Sequence, residues 1–296
     1  MIKAKNQRLN ITFAPYLFIA PVIILLFVFN ILPLLSAFVI SSFDISTSFN
    51  NAKFLGLGNF TEVLGDARFW NSLKVTLKWT VIEVPLQVIL ALILSTLLTE
   101  NTLSNKIFRS VFFLPIICSA TVTSIMWKMI LHSNVGYVTY LLKILGIGSF
   151  NFMNSPGLTF YVILFMSIWK TFGISTIIFV GAMQNVPKSL YEAAEIDSAG
   201  KLRQFFDVTL PGIAPTMWFI IMTRLISSFQ VFDIVYTTTG GGPNFSTETL
   251  VSFIYTRAFD VNRMGYASAA SVCLFVIILV ITIILYSRML KQEKEL

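Results

Sequence analysis

The sequence predicts an all-α integral membrane protein with six transmembrane helices and with both termini in the cytoplasm. Three observations predict it. The chain has 296 residues, 56% of them hydrophobic and only 12% charged, with a mean hydropathy of +0.80. A soluble domain carries roughly 25% charged residues, so this chain cannot clothe itself for water. A cytosolic enzyme, a secreted domain and a disordered chain are thereby excluded. Six apolar stretches each approach the ~20 helical residues needed to cross a ~30 Å hydrocarbon core. Lysine and arginine, finally, are distributed unevenly between the connections.

The first stretch, 16–40, follows a tail, 1–15, that carries Lys3, Lys5 and Arg8. Its apolar run exceeds the 7–15 or so residues of a signal-peptide core, so it reads as a retained signal-anchor helix. The others are 75–98, 110–131, 158–183, 213–236 and 267–290, followed by a short tail, 291–296. Residues 16–290 therefore form one membrane domain. Pro21, Pro33, Pro85 and Pro115 lie in or beside spans, where neighbouring helices can satisfy the freed carbonyls. Lys106 and Arg109, Lys188, Lys201 and Arg203, and Arg288, Lys291 and Lys294 fall on the same side as the N-terminal tail. The opposite side carries fewer basic residues over more chain, which puts both termini in the cytoplasm. The net charge of +7 is then topological, and no nucleic-acid partner is expected. Cys118 and Cys273 sit in apolar runs as small packing residues, and the isolated His132 makes no metal site.

One connection is unusual. Residues 187–211 read PKSLYEAAEIDSAGKLRQFFDVTLP. Ser189 followed by Glu192 fits a capping box, and Gly200 is placed to end the helix in the left-handed conformation. A short cytoplasmic helix is predicted from Leu190 to about Ala199, then a second turn from Lys201 to Val208 leading to Leu210-Pro211. Capping, termination and the start of span five account for the helix itself. They do not account for the bare Ala193-Ala194 pair or for Phe205-Phe206 on the cytoplasmic side, which suit a knob entering a groove on another protein.

This segment resembles the EAA loop of binding-protein-dependent ABC importer permeases. Glu192, Ala193, Ala194 and Leu210-Pro211 match its spacing, whereas Ser198 stands where the family has glycine and Val208 where it has isoleucine. The stretch 191–200 (YEAAEIDSAG), TGGGP at 239–243, and Ile254-Tyr255 with Ala258-Phe259 are similar to the carbohydrate-uptake permeases of the maltose and glycerol-phosphate type. The resemblance implies a type I ABC importer permease fold in the cytoplasmic membrane of a prokaryote. It implies one half of a pathway for a sugar or oligosaccharide, completed by a second permease, expected to be a different chain. Two ATPase subunits and an extracytoplasmic solute-binding protein are the other implied partners. Glu192, Ala193, Ala194, Asp197, Ser198, Gly200, Leu210 and Pro211 would form the ATPase-coupling segment. ATP and Mg would reside on the ATPase: this chain carries no G-x-x-x-x-G-K-[ST] motif, binds no cofactor and is no enzyme in itself. Gly240 to Gly242 lack the lysine of such a motif and read as a turn outside the membrane.

Ionisable residues at membrane depth usually face a bundle interior or a water-filled cavity. Lys78 and Lys128 lie near span ends, within snorkelling reach of the headgroups. Lys170 and Arg224 lie near mid-span. Ser167, Lys170, Thr171 and Ile174 follow i, i+3, i+4, i+7 spacing on span four, and Arg224, Ser227, Ser228 and Val231 repeat it on span five. Both faces are expected to line the substrate pathway, with Trp169 as a stacking surface for a sugar ring. The other reading makes Lys170 and Arg224 structural donors to helix carbonyls or to Glu83 or Asp233. Two further functional readings remain: a permease of the same class for a non-sugar solute such as glycerol-3-phosphate, and an ion-coupled secondary carrier. The carrier would need inverted repeats and a carboxylate relay; no repeat is visible, and Glu83 is the only carboxylate well inside a span.

Overall fold

The computed structural model describes residues 15–48, 52–148 and 150–293. The expected N-terminal tail with Lys3, Lys5 and Arg8 and the end of the C-terminal tail lie outside the described residues. Among the described residues the fold is helical apart from one antiparallel ladder, in which β1 (Phe43–Asp44) pairs with β2 (Lys53–Phe54). Four helices are long and apolar enough to cross a membrane, or six if each of two sharply bent pairs counts as one span. The chain divides into two compact units, Met1–Gly65 with Ile254–Cys273, and Asp66–Phe253 with Leu274–Leu296.

In the first unit, α1 (Pro15–Ile40) is apolar all round, and none of its most apolar stretch is buried within the chain. A π-helical turn at Phe27–Ile31 interrupts it just before Pro33. After the ladder comes α2 (Gly58–Gly65), from which Asn59 donates to the carbonyls of Ser41 and Phe43, both at 2.9 Å. Gly265 is a close-approach position: a Cβ there would stand 1.8 Å from the Phe43 carbonyl oxygen. Arg263 grips Glu62 through two hydrogen bonds, at 2.5 and 2.7 Å. The bonded Glu62 carboxylate holds this guanidinium above its ordinary pKa, so it stays charged.

The second unit is built around α3 (Ala67–Leu98). It starts eight residues before the predicted span because Asp66 caps it, accepting the Arg68 amide at 2.8 Å. Arg109 closes its other end, donating to the carbonyls of Leu98, Thr99 and Glu100. The predicted third span is two helices, α4 (Leu103–Ile117) and α5 (Ala120–Ile130), bent by 99°. The break has a local cause: Cys118 is extended, and Ser119 starts a new helix by accepting the Val122 amide at 3.2 Å. After α6 (Tyr137–Ile144), α7 (Pro156–Gln184) lies close to the limits predicted for the fourth span.

The segment predicted to couple to an ATPase follows as α8 (Lys188–Ile196) and α9 (Lys201–Gly212), the latter with a π-helical turn at Phe205–Thr209. A bend of 71° leads into α10 (Ala214–Phe229). The predicted fifth span ends here, seven residues early, and α11 (Asp233–Thr238) is a separate short helix. The chain between them leaves helical geometry at Gln230 and Phe232. It then makes the predicted glycine turn, with Gly240 and Gly241 at positive φ, followed by α12 (Leu250–Tyr255), which runs into the first unit. The last helix, α13 (Met264–Glu293), covers the stretch predicted as the sixth span.

Two apolar clusters stack along the second unit. One gathers Trp79, Phe160, Ile163, Leu164 and Met166 with Ile234 and Val235. The other gathers Val84, Val88, Ala91, Phe179, Met183 and Val186 with Ile213 and Ile220. Helices α4 and α7 approach unusually closely at Gly173, where a Cβ would stand 1.9 Å from the Phe112 carbonyl oxygen.

Candidate functional site

Between the two apolar clusters lies a layer of polar side chains. On α7 it occupies 167–175, between Met166 and Phe179; on α10 it occupies 224–228, between Ile220 and Ile234. Its third wall is α3, whose buried face carries Ser72, Thr76, Thr80, Glu83 and Gln87, all at most 6% exposed. These residues follow helical spacing and form one buried polar stripe along α3.

The stripe bonds in turn to each element packed on it. Ser72 donates to Glu248 Oε2 at 3.1 Å, and Thr76 accepts the Leu250 amide at 2.8 Å. Ser228 donates to Thr80 Oγ1 at 3.0 Å. Glu83 and Arg224 interact electrostatically. Gln87 accepts from Thr171 at 3.3 Å and donates to Ser175 Oγ at 3.5 Å. The predicted faces of spans four and five are thus connected through α3, a wall that the helical spacing on those two spans did not reveal. The signal was nevertheless present as the i, i+4, i+8 series of Ser72, Thr76 and Thr80.

The sequence-predicted pathway residues divide. Arg224, Ser228 and Thr171 enter the layer. Ser167 contributes its carbonyl to Thr171 at 2.8 Å. Trp169 is half-buried and meets Trp127 edge to face at 5.5 Å, and Lys170 is half-buried on the same helix. Ser227 is exposed and donates to its own helix at Thr223. Val231 does not continue the α10 face, because the helix has ended; it lies in the break, and its carbonyl accepts from Thr249 at 2.8 Å. Lys78 does not simply snorkel, since its ammonium lies over the rings of Phe160 and Tyr161 at 4.3 and 4.9 Å.

The coupling segment departs from the sequence reading at both ends of α8. The helix starts at Lys188 with Pro187 as N-cap and no side-chain cap, so Ser189 and Glu192 do not form a capping box. It ends at Ser198, not Gly200. Ser198 has φ 56°, and the Ala199 and Ser198 amides bond to the carbonyls of Ala194 and Glu195, both at 2.9 Å. That is a Schellman closure with serine in the position that favours glycine. Gly200, at φ −65°, instead starts α9. Glu192, Ala193 and Asp197 are exposed, Ala194 is half-buried, and Leu210 and Pro211 continue α9 toward the bend. Tyr191 shares a hydrogen bond with Thr209 at 2.8 Å, and Gln204 donates to the Ala199 carbonyl at 3.1 Å, fastening α8 to α9.

At the other end of α3, the segment that follows the glycine turn is tied to α3 by Glu248. Arg68 pairs with this buried carboxylate through two hydrogen bonds, at 2.9 and 2.6 Å, while its guanidinium stacks 3.9 Å from the centre of the Phe245 ring.

An exposed short helix fastened to a bent span, with a polar layer buried along that span, describes a membrane transport subunit. The chain belongs to the family of binding-protein-dependent transport system inner membrane components, which it matches over residues 80–290. It is 32% identical over 269 residues to the trehalose/maltose transport system permease protein MalF of Thermococcus litoralis, covering 91% of each chain. It is likewise 32% identical over 269 residues to the sn-glycerol-3-phosphate transport system permease protein UgpA of Agrobacterium fabrum, covering 90% of this chain and 92% of that one. In fold it is similar to a chain of a bacterial ABC transporter that imports the acidic polysaccharide alginate, with a TM-score of 0.83 at 21% identity over 98% of this chain and 99% of the other.

Proposed function

We propose that this chain is a permease subunit of an ATP-driven importer for a sugar or oligosaccharide. It crosses the cytoplasmic membrane of a prokaryote six times with both termini inside, α4 and α5 together making one crossing and α10, entered from the cytoplasmic α9, another. It forms half of the pathway, pairs with a second permease of different sequence, receives solute from an extracytoplasmic binding protein and is driven by two ATPase subunits that hold ATP and Mg. The observation that carries this reading is the fastening of α8 to α9, and through the bend to α10, which bears Arg224 and Ser228.

The mechanism follows from that path. The ATPase grips α8: Glu192 offers a charge and Ala193-Ala194 a flat approach. Closure of the ATPase pair displaces α8 and α9 together, because the Tyr191–Thr209 and Gln204–Ala199 bonds keep them in register. The motion enters α10 at Gly212 and shifts Ser228 against Thr80 and Arg224 against Glu83, which switches the polar layer between faces of the membrane as a rigid-body transition. No bond is made or broken in the solute.

Purification of the tagged chain in mild detergent, with mass spectrometry of what accompanies it, tests this beside Glu192→Lys. A second membrane subunit and a P-loop ATPase are expected with the unaltered chain, with the ATPase lost from the variant. Recovery of the chain alone in both samples overturns the reading.

A further inference from the structure

We propose that Glu83, set against Arg224, makes the pathway select uncharged, hydroxyl-rich solutes over anionic ones. This rests on the pathway reading above and names its substrate class. The geometry begins with the Ser228–Thr80 bond at 3.0 Å, which fixes the register of the antiparallel pair α3 and α10. One turn further along both helices Glu83 faces Arg224, and the two interact electrostatically. Glu83 is 4% exposed, and its Oε2 has no hydrogen-bond partner among the described residues. A buried acceptor without a donor is costly, and its retention in a membrane span points to a donor that arrives in use.

The two groups define what that donor is. An ionised carboxylate only accepts hydrogen bonds and a guanidinium only donates them. A hydroxyl does both: it donates to Glu83 while accepting from Arg224. A phosphate or carboxylate only accepts, so it satisfies Arg224 but meets repulsion wherever Glu83 is ionised by its pairing with Arg224. The bonds of Thr80 to Ser228 on one side and Gln87 to Thr171 on the other hold the pair in place. Charge is a meaningful variable here, since the similar permeases named above include one for trehalose and maltose and one for sn-glycerol-3-phosphate.

The test uses the complete complex, purified with its partner chains and titrated calorimetrically. The probes are neutral trisaccharides of glucose, galactose and mannose and their uronate counterparts. The unaltered complex is expected to bind at least one neutral sugar about tenfold or more tightly than its uronate, as like-charge exclusion requires. In Glu83→Gln that ratio falls to about one or inverts, because Arg224 then stands uncompensated. The double variant Glu83→Gln with Arg224→Gln carries no lone buried charge and decides the matter if the single variant does not assemble; it should bind without charge preference. Variants that keep the unaltered ratio overturn the role of Glu83 and leave the pathway reading standing. An unaltered complex that binds no probe overturns both.

Discussion

The amide of Ala199 donates to the carbonyl of Ala194 at 2.9 Å, closing α8 across Ser198. Ser198 pays for this closure with a left-handed backbone at φ 56°, which costs a non-glycine residue ~1–2 kcal/mol. Ser198→Gly is therefore expected to stabilise the segment by about 1 kcal/mol. Gly200→Ala should be tolerated, since Gly200 is at φ −65° with open space around it. Hydrogen-exchange protection of the 194–199 amides checks both; greater damage from Gly200→Ala than from Ser198→Ala would refute the assignment.

Gly173→Ala drives a methyl group into the Phe112 carbonyl and should cost about 2 kcal/mol or more, as overpacking does. Gly181→Ala on the same helix meets nothing within 4 Å and should be harmless. Melting temperatures of the two variants in detergent, followed by gel filtration, should separate them clearly.

The Arg68–Glu248 and Arg203–Asp207 pairs are expected to differ in weight. Removing Arg68 strands a carboxylate whose side chain is 1% exposed, at a cost of about 2–3 kcal/mol, moderated because Arg68 itself keeps 26% exposure. The Arg203–Asp207 side chains are 71% and 61% exposed, and Arg203→Ala should cost no more than about 0.5 kcal/mol. Comparable melting shifts for the two arginine-to-alanine variants would contradict this ranking.

Thr80→Val and Ser228→Ala should each weaken transport while leaving the complex assembled, and their stability effects should not add. Hydrogen bonds between membrane helices average about 0.6 kcal/mol in such cycles. A double-mutant cycle on thermal stability is expected to return a coupling of that size, and zero coupling would show that the 3.0 Å contact carries no weight.

Much of the fold was legible because long apolar runs mark long helices: α1, α7 and α13 agree with the limits predicted for the first, fourth and last spans to within a few residues. The two bends were not, because Cys118-Ser119 and Gly212-Ile213 change direction without interrupting the apolar run. The segment read as coupling stands out by its spacing, but its caps were misread at both ends: Pro187 occupies the N-cap with no side-chain bond, and Ser198 rather than Gly200 takes the left-handed position. In the site, Arg224, Ser228 and Thr171 were visible as polar residues in apolar spans. Of their α3 partners, Glu83 was named beside Arg224, whereas Thr80 and Gln87 were passed over; the i, i+4, i+8 recurrence of Ser72, Thr76 and Thr80 marks the stripe. Arg109, counted at first as a topological charge, is also the cap of α3.

The 71° bend between α9 and α10 has a mechanical meaning. If both arms stay straight, a thrust along α9 projects onto the α10 axis only by the cosine of that angle, about a third. The rest becomes sideways swing. On the proposed coupling, a force delivered to α9 therefore arrives at Arg224 and Ser228 chiefly as lateral displacement, which would open or shut a gap between neighbouring helices. Straightening this elbow would turn a gate into a piston.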